Sequence, residues 1–149
     1  MKKILYLMSL ISIGVASAGA VVVFESPEQA VRALEDAYAM RNADAAVAAR
    51  DFDEEARRML LRVKPGLESQ PDILKQTAGV LELGYRQELK QKTFSRFTGV
   101  RCTITKVVPI DVTLVQVFED CTLKNGAVSK ERLHVAKTKN GWRVITVPD

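Results

Sequence analysis

The sequence has 149 residues, 47% of them hydrophobic and 27% charged, with 8 glycines and 5 prolines. That length suffices for one globular core and is short of two ordinary domains, and with no low-complexity run or short repeat it is neither a linker array nor a solenoid. The formal charge of +4 does not point to nucleic acid: Lys and Arg are interspersed with Asp and Glu, as over 51–58 and 82–92, where a nucleic-acid binder carries a one-signed patch.

Met1, Lys2 and Lys3 form a short basic start, 4–15 is an apolar run, and Ala16-Ser17-Ala18-Gly19-Ala20 supplies small residues. This pattern predicts a secretory signal peptide over residues 1–20, cleaved after Ala18 or after Ala20. The apolar run is shorter than the roughly 20 residues a spanning helix needs, so the mature chain is expected to have no membrane span. Losing Lys2 and Lys3 lowers the formal charge to +2. No cysteine precedes Cys102, so a lipoprotein signal lacks its thiol, and the expected destination is the periplasm or the exterior. Residues 21–149 are expected to form a single domain.

Ser26-Pro27-Glu28-Gln29 reads as a helix start: Ser26 caps, Pro27 suits the first helical position, and Gln29 stands where a capping box places Glu or Gln. Ala30, Val31, Leu34, Ala37, Tyr38 and Met40 follow as an apolar stripe beside Arg32, Glu35 and Asp36. A short helical turn is expected over 45–50, and another helix over 53–62, acidic at its start and basic at its end as the helix dipole prefers. From Pro71 to about Lys90 the spacing predicts the longest helix, with Ile73, Leu74, Thr77, Val80, Leu81, Tyr85 and Leu89 on its buried side. Gly84 in its middle costs about 1 kcal/mol against Ala, and is expected to mark a close approach of helix to sheet.

Beyond Thr98 the residues turn β-branched, and strands are predicted over 100–108, 112–123, 129–138 and 142–147. Asn125-Gly126 and Asn140-Gly141 are hairpin signals. Helices followed by an antiparallel meander predict an α+β domain, its N-terminal helices packed on a curved sheet of about four strands.

Three stretches carry a family likeness: Glu28-Gln29-Ala30-Val31 through Ala37-Tyr38, Arg41-Asn42-Ala43-Asp44-Ala45-Ala46, and Asn140-Gly141-Trp142-Arg143-Val144. In order and spacing the chain resembles the nuclear transport factor 2-like superfamily, which implies a cone of helices and a bent antiparallel sheet. Ala48-Ala49-Arg50-Asp51-Phe52 with Glu55-Ala56 and Met59-Leu60, followed by 83–89, looks like the bacterial branch of immunity proteins of polymorphic toxins. The bland reading of Phe52, Ala56, Met59 and Leu60 is packing, since apolar helical spacing is first a core signal.

Two cysteines in an exported chain suggest one disulfide. A register with Val108 opposite Val115 also sets Cys102 opposite Cys121, within disulfide reach. His134 is the only histidine. With Asn125-Gly126 as a two-residue turn, Glu119 faces Arg132 and Val117 faces His134, which would put Glu119, Arg132 and His134 on one face. The resemblance makes this cluster the enzymatic candidate, because relatives that act as isomerases or dehydratases place such groups inside the cone. The plain alternative is a cross-strand ion pair. Tyr38, Tyr85 and Trp142 are further pocket candidates that equally suit a core. No metal centre, Gly-rich phosphate loop or cofactor is expected.

These readings favour an exported, non-catalytic binding domain, most specifically an immunity protein whose partner is a secreted toxin, or else one that binds another envelope protein. The alternatives are a small-molecule binder or isomerase/dehydratase-type enzyme using the cone interior, and a structural accessory of the envelope. An open cavity of several hundred Å³ with His134, Glu119 and Tyr38 pointing into it would favour the small-molecule reading, and a cone filled by Leu, Val and Phe would sink it.

Overall fold

A computed structural model describes residues 21–147; the segment read as a signal peptide lies outside them. Helix α1 (Pro27–Ala39) starts as the sequence predicts. The Ser26 hydroxyl accepts from the Gln29 N–H at 3.2 Å, and the Gln29 side chain accepts from the Glu25 N–H at 2.8 Å. Its stripe of Ala30, Val31, Leu34 and Ala37 is buried, whereas Met40, beyond its last turn, is exposed. Asn42 caps α2 (Ala43–Ala48) and Asp51 caps α3 (Phe52–Val63), each accepting from the N–H three residues on. Phe52, Ala56 and Leu60 are buried and Met59 half-buried, as packing alone predicts.

Pro71 opens α4 (Pro71–Glu88), which passes through one π-helical turn (Leu89–Thr93) into the short α5 (Phe94–Phe97). Its buried positions are Ala78, Tyr85 and Leu89, with Leu74 and Leu81 packed beside them. This stripe excludes Val80, which is 71% exposed, because two residues from Ala78 turns a side chain to the far side of a helix. Nor does Gly84 mark a close approach: a Cβ there would meet nothing within 4 Å. Helix α4 packs chiefly on α3, while α1 lies against the sheet.

The sheet is open and antiparallel, in the order β1 (Arg101–Pro109), β2 (Leu114–Thr122), β3 (Val128–Thr138), β4 (Gly141–Ile145). The α+β class and the order of elements are those expected. At the last hairpin Gly141 has φ +88°, and a Cβ there would stand 2.6 Å from the Phe24 carbonyl oxygen. Glycine alone lets Phe24 lie alongside, where its carbonyl accepts from the Trp142 N–H.

Two registers differ from expectation. Cys102 does face Cys121, but the pairing shifts between Ile104 and Lys106, so Pro109 and not Val108 stands opposite Val115. Thr105 is the extra residue of a β-bulge, which bends a strand and leaves one residue unpaired. The second hairpin is not a two-residue turn: the Leu123 N–H reaches the Ala127 carbonyl at 2.8 Å, and Gly126 takes φ +81°. This longer reversal, with glycine in the left-handed region, moves β3 by one residue. Glu119 therefore faces Glu131, Phe118 faces Arg132 and Gln116 faces His134.

Cys102 and Cys121 form a disulfide between the paired strands, with Cα atoms 4.0 Å apart. Joining residues 19 apart in the sequence stabilises the fold by about 3 kcal/mol in the chain-entropy description. Cys121→Ser should therefore lower the unfolding free energy by about 2–5 kcal/mol while retaining the far-ultraviolet spectrum, and the wild-type thiols should resist alkylation until reduced. Free thiols in unreduced protein, measured by mass, would contradict the bond.

Candidate functional site

Between α1 and the sheet lies an open cavity of about 460 Å³. Helix α1 contributes Leu34, Glu35, Asp36, Tyr38 and Ala39; the π-turn and α5 lead to Phe97. The sheet contributes the Cys102–Cys121 pair, Glu119, Glu131 and Leu133. Most of this wall is apolar, and its charged groups are the acids Glu35, Asp36, Glu119 and Glu131 with Arg101 and Arg132.

The strand period explains why an acid stands there. Val115, Val117, Glu119 and Cys121 alternate with Gln116, Phe118 and Asp120, so burying the first set against α1 buries Glu119 with it. Glu119 is 3% exposed. Its carboxyl lies within hydrogen-bonding reach of that of Glu35, and Oε1 of each is buried without a donor among the described residues. Two carboxyl groups can bond only if a proton lies between them. Burial, then the bond to Glu35, then the charges of Glu35 and Glu131 push the Glu119 carboxyl up to about 8. Burial also raises Glu35, against the opposing pull of its bond to Glu119. Glu131, the cross-strand neighbour of Glu119, accepts from the Ser129 hydroxyl at 2.6 Å and lies 3.8 Å from the Arg96 guanidinium.

The one-residue register shift separates the expected cluster. Such a shift turns side chains to the other face, so Arg132 and His134 share a face with Phe118 and Gln116, opposite Glu119. The His134 Nε2 lies 3.1 Å from the Gln116 Nε2. His134, Tyr38 and Arg50 line a second cavity of about 310 Å³, and Arg132 contributes to both cavities. Tyr38 lies in both and shares a hydrogen bond of 2.9 Å with the Tyr85 hydroxyl. Burial, and next the Tyr85 hydroxyl, raise the Tyr38 phenol. Trp142 is half-buried against the core. Of the six pocket candidates, the structure thus brings Glu119 and Tyr38 to the main cavity with Arg132 beside them, joins Tyr85 through Tyr38, and places His134 and Trp142 elsewhere.

Glu35 was not among those candidates. Beside Arg32 and Asp36 it reads as part of a solvated helix face, yet it stands four residues after Val31 and three before Tyr38, on the edge of the buried stripe. Cys102, Glu119 and Cys121 also bring possible ligand atoms within 4.8 Å of one another. Bonded to each other, however, the sulfurs are not the thiolates that bind metal.

No protein-family model and no curated protein matches the sequence. The chain is similar in fold to nuclear transport factor 2-like proteins. A protein of that kind and of unknown function from Shewanella oneidensis MR-1 aligns at 12% identity and a TM-score of 0.47, covering 79% of this chain and 91% of the other. A phospholipid-binding protein from Ralstonia solanacearum, solved with a phospholipid, aligns at 18% identity and a TM-score of 0.46, covering 79% and 72%.

The carboxyl pair makes stability depend on pH in a defined direction. A carboxyl raised from 4.5 to about 8 by folding holds its proton more firmly in the native state, so the contribution is complete below pH 4.5 and is lost as pH rises towards 8. The melting temperature should fall across that window, and Glu119→Gln should flatten the fall. Parallel melting curves for wild type and variant would remove the shared proton.

Proposed function

We propose that this chain is an exported domain that binds a small amphipathic molecule between α1 and the sheet. The observation that carries this reading is the open cavity of about 460 Å³, walled by apolar side chains and holding Glu119 and Tyr38 among a few convergent polar groups. Ligand sites have this size and character. The pattern of residues 1–20 supports export, and the disulfide suits an oxidising compartment. No helix among the described residues is long and apolar enough to cross a membrane.

A toxin-neutralising or envelope-accessory role leaves the cavity without a task, and its helical block of Phe52, Ala56 and Leu60 is accounted for by the core. These roles therefore stand behind the ligand-binding one. Catalysis by His134 paired with Glu119 is disfavoured, since Glu119 is on the other face of the sheet.

N-phenyl-1-naphthylamine, a neutral apolar fluorophore, tests the cavity directly. The folded protein should enhance its fluorescence saturably at one site. Ala39 is exposed at the end of α1 and lines the cavity, so Ala39→Trp should fill the space and weaken binding at least tenfold without disturbing the core. No enhancement by wild type, or undiminished binding by folded Ala39→Trp, would overturn the assignment.

A further inference from the structure

We infer that the cavity selects a primary ammonium group carried on an apolar chain, held between Glu35 and Glu119. The inference rests on the preceding reading that the cavity is a ligand site, and adds the chemistry of the ligand. Glu119 is 97% removed from solvent, being 3% exposed, and Oε1 of both carboxyls receives no donor from the described residues. A primary ammonium offers three N–H donors and the positive charge that the buried Glu119 and the half-buried Glu35 lack.

The remaining wall suits such a cation and its tail. The rings of Tyr38 and Phe97 stack with centroids 5.0 Å apart, and both line the cavity; aromatic faces attract ammonium groups. Leu34, Leu133 and the disulfide provide apolar surface for the chain.

The charged groups around the pair are mixed but do not neutralise it. Asp36 and Arg32 act on Glu35 from its own helix, Glu131 faces Glu119 from β3, and Arg96 approaches Glu131. Arg101 and Arg132 line the cavity and are exposed. A carboxylate ligand would bring a further negative charge to a pair that already carries one, and an alcohol would bring a single donor and no charge.

Binding exchanges one cation for another. The ammonium enters with its proton, the proton shared by Glu35 and Glu119 leaves to solvent, and the net charge of the site is unchanged. Affinity should therefore rise with pH while the amine itself stays protonated, as alkylamines do to about pH 10.

Displacement of N-phenyl-1-naphthylamine by octylamine, octanol and octanoate at pH 6.5 and 8.5 separates the possibilities. Octylamine should displace the probe at concentrations at least tenfold below octanol, more effectively at pH 8.5 than at 6.5, with octanoate weakest. Calorimetry in buffers of different ionisation enthalpy should show proton release on octylamine binding. Glu119→Gln should abolish the advantage of octylamine over octanol while the probe still binds. If octylamine and octanol displace the bound probe alike, the ammonium inference is overturned and the cavity reading stands. If the probe does not bind, the cavity reading itself fails.

Discussion

The alternation of β2 imposes one constraint from which the site follows. Val117 and Cys121 must face α1 to complete the core, and a strand has only two faces, so the residue between them on that face, Glu119, is buried as well. Turning it outward would require a one-residue slip that exposes Val115 and Val117 together. An isolated buried carboxylate is costly, and Glu131 directly across the strand pair makes ionisation costlier still. Sharing a proton with Glu35 relieves both penalties. The cavity is thus lined by an acid pair because packing elsewhere in the strand leaves no other orientation.

A second polar group inside the helical half is satisfied differently. The Arg50 guanidinium donates to the Glu55 carboxylate at 2.6 Å and to the Thr146 hydroxyl at 2.5 Å, and stacks 4.2 Å from the centroid of the Tyr85 ring. The Ala49 carbonyl accepts from the Val144 N–H, which fixes the chain beside β4. Tyr85 then bonds Tyr38, so a continuous series of contacts runs from Glu55 to the cavity wall. Buried pairs of this kind owe their value to full hydrogen bonding, and removing one partner typically costs about 3–5 kcal/mol. Helix α1, which supplies Glu35 and Tyr38 to the cavity, is held from behind by this network.

The elements themselves were legible in the sequence because their signals are local. Ser26, Asn42 and Asp51 are capping residues, Pro71 opens α4, and alternating β-branched residues mark the strands. The disulfide was legible because Cys102 and Cys121 are the two cysteines of the sequence, and because the bulge at Thr105 offsets the one-residue error in the register expected beside the turn. What escaped the sequence was each quantity that depends on a single residue of register. The bulge at Thr105 has no Gly or Pro to announce it, and Asn125-Gly126 suits both a two-residue turn and the longer reversal found. That one-residue difference decides whether Glu119 meets Arg132 or Glu131, and so turns an expected ion pair into an acid pair. Glu35 escaped because its neighbours Arg32 and Asp36 are those of an exposed helix face.

The most direct test of this account is the titration of the two carboxyl carbons by nuclear magnetic resonance, with Glu35 and Glu119 assigned. Because the groups are coupled, the upper step belongs to the pair and not to either residue. Both resonances should report a common protonation step well above the ordinary carboxylate range. Independent titrations that are both complete near the usual glutamate value of about 4.3 would contradict it, and with it the claim that folding around β2 forces a proton into the cavity wall.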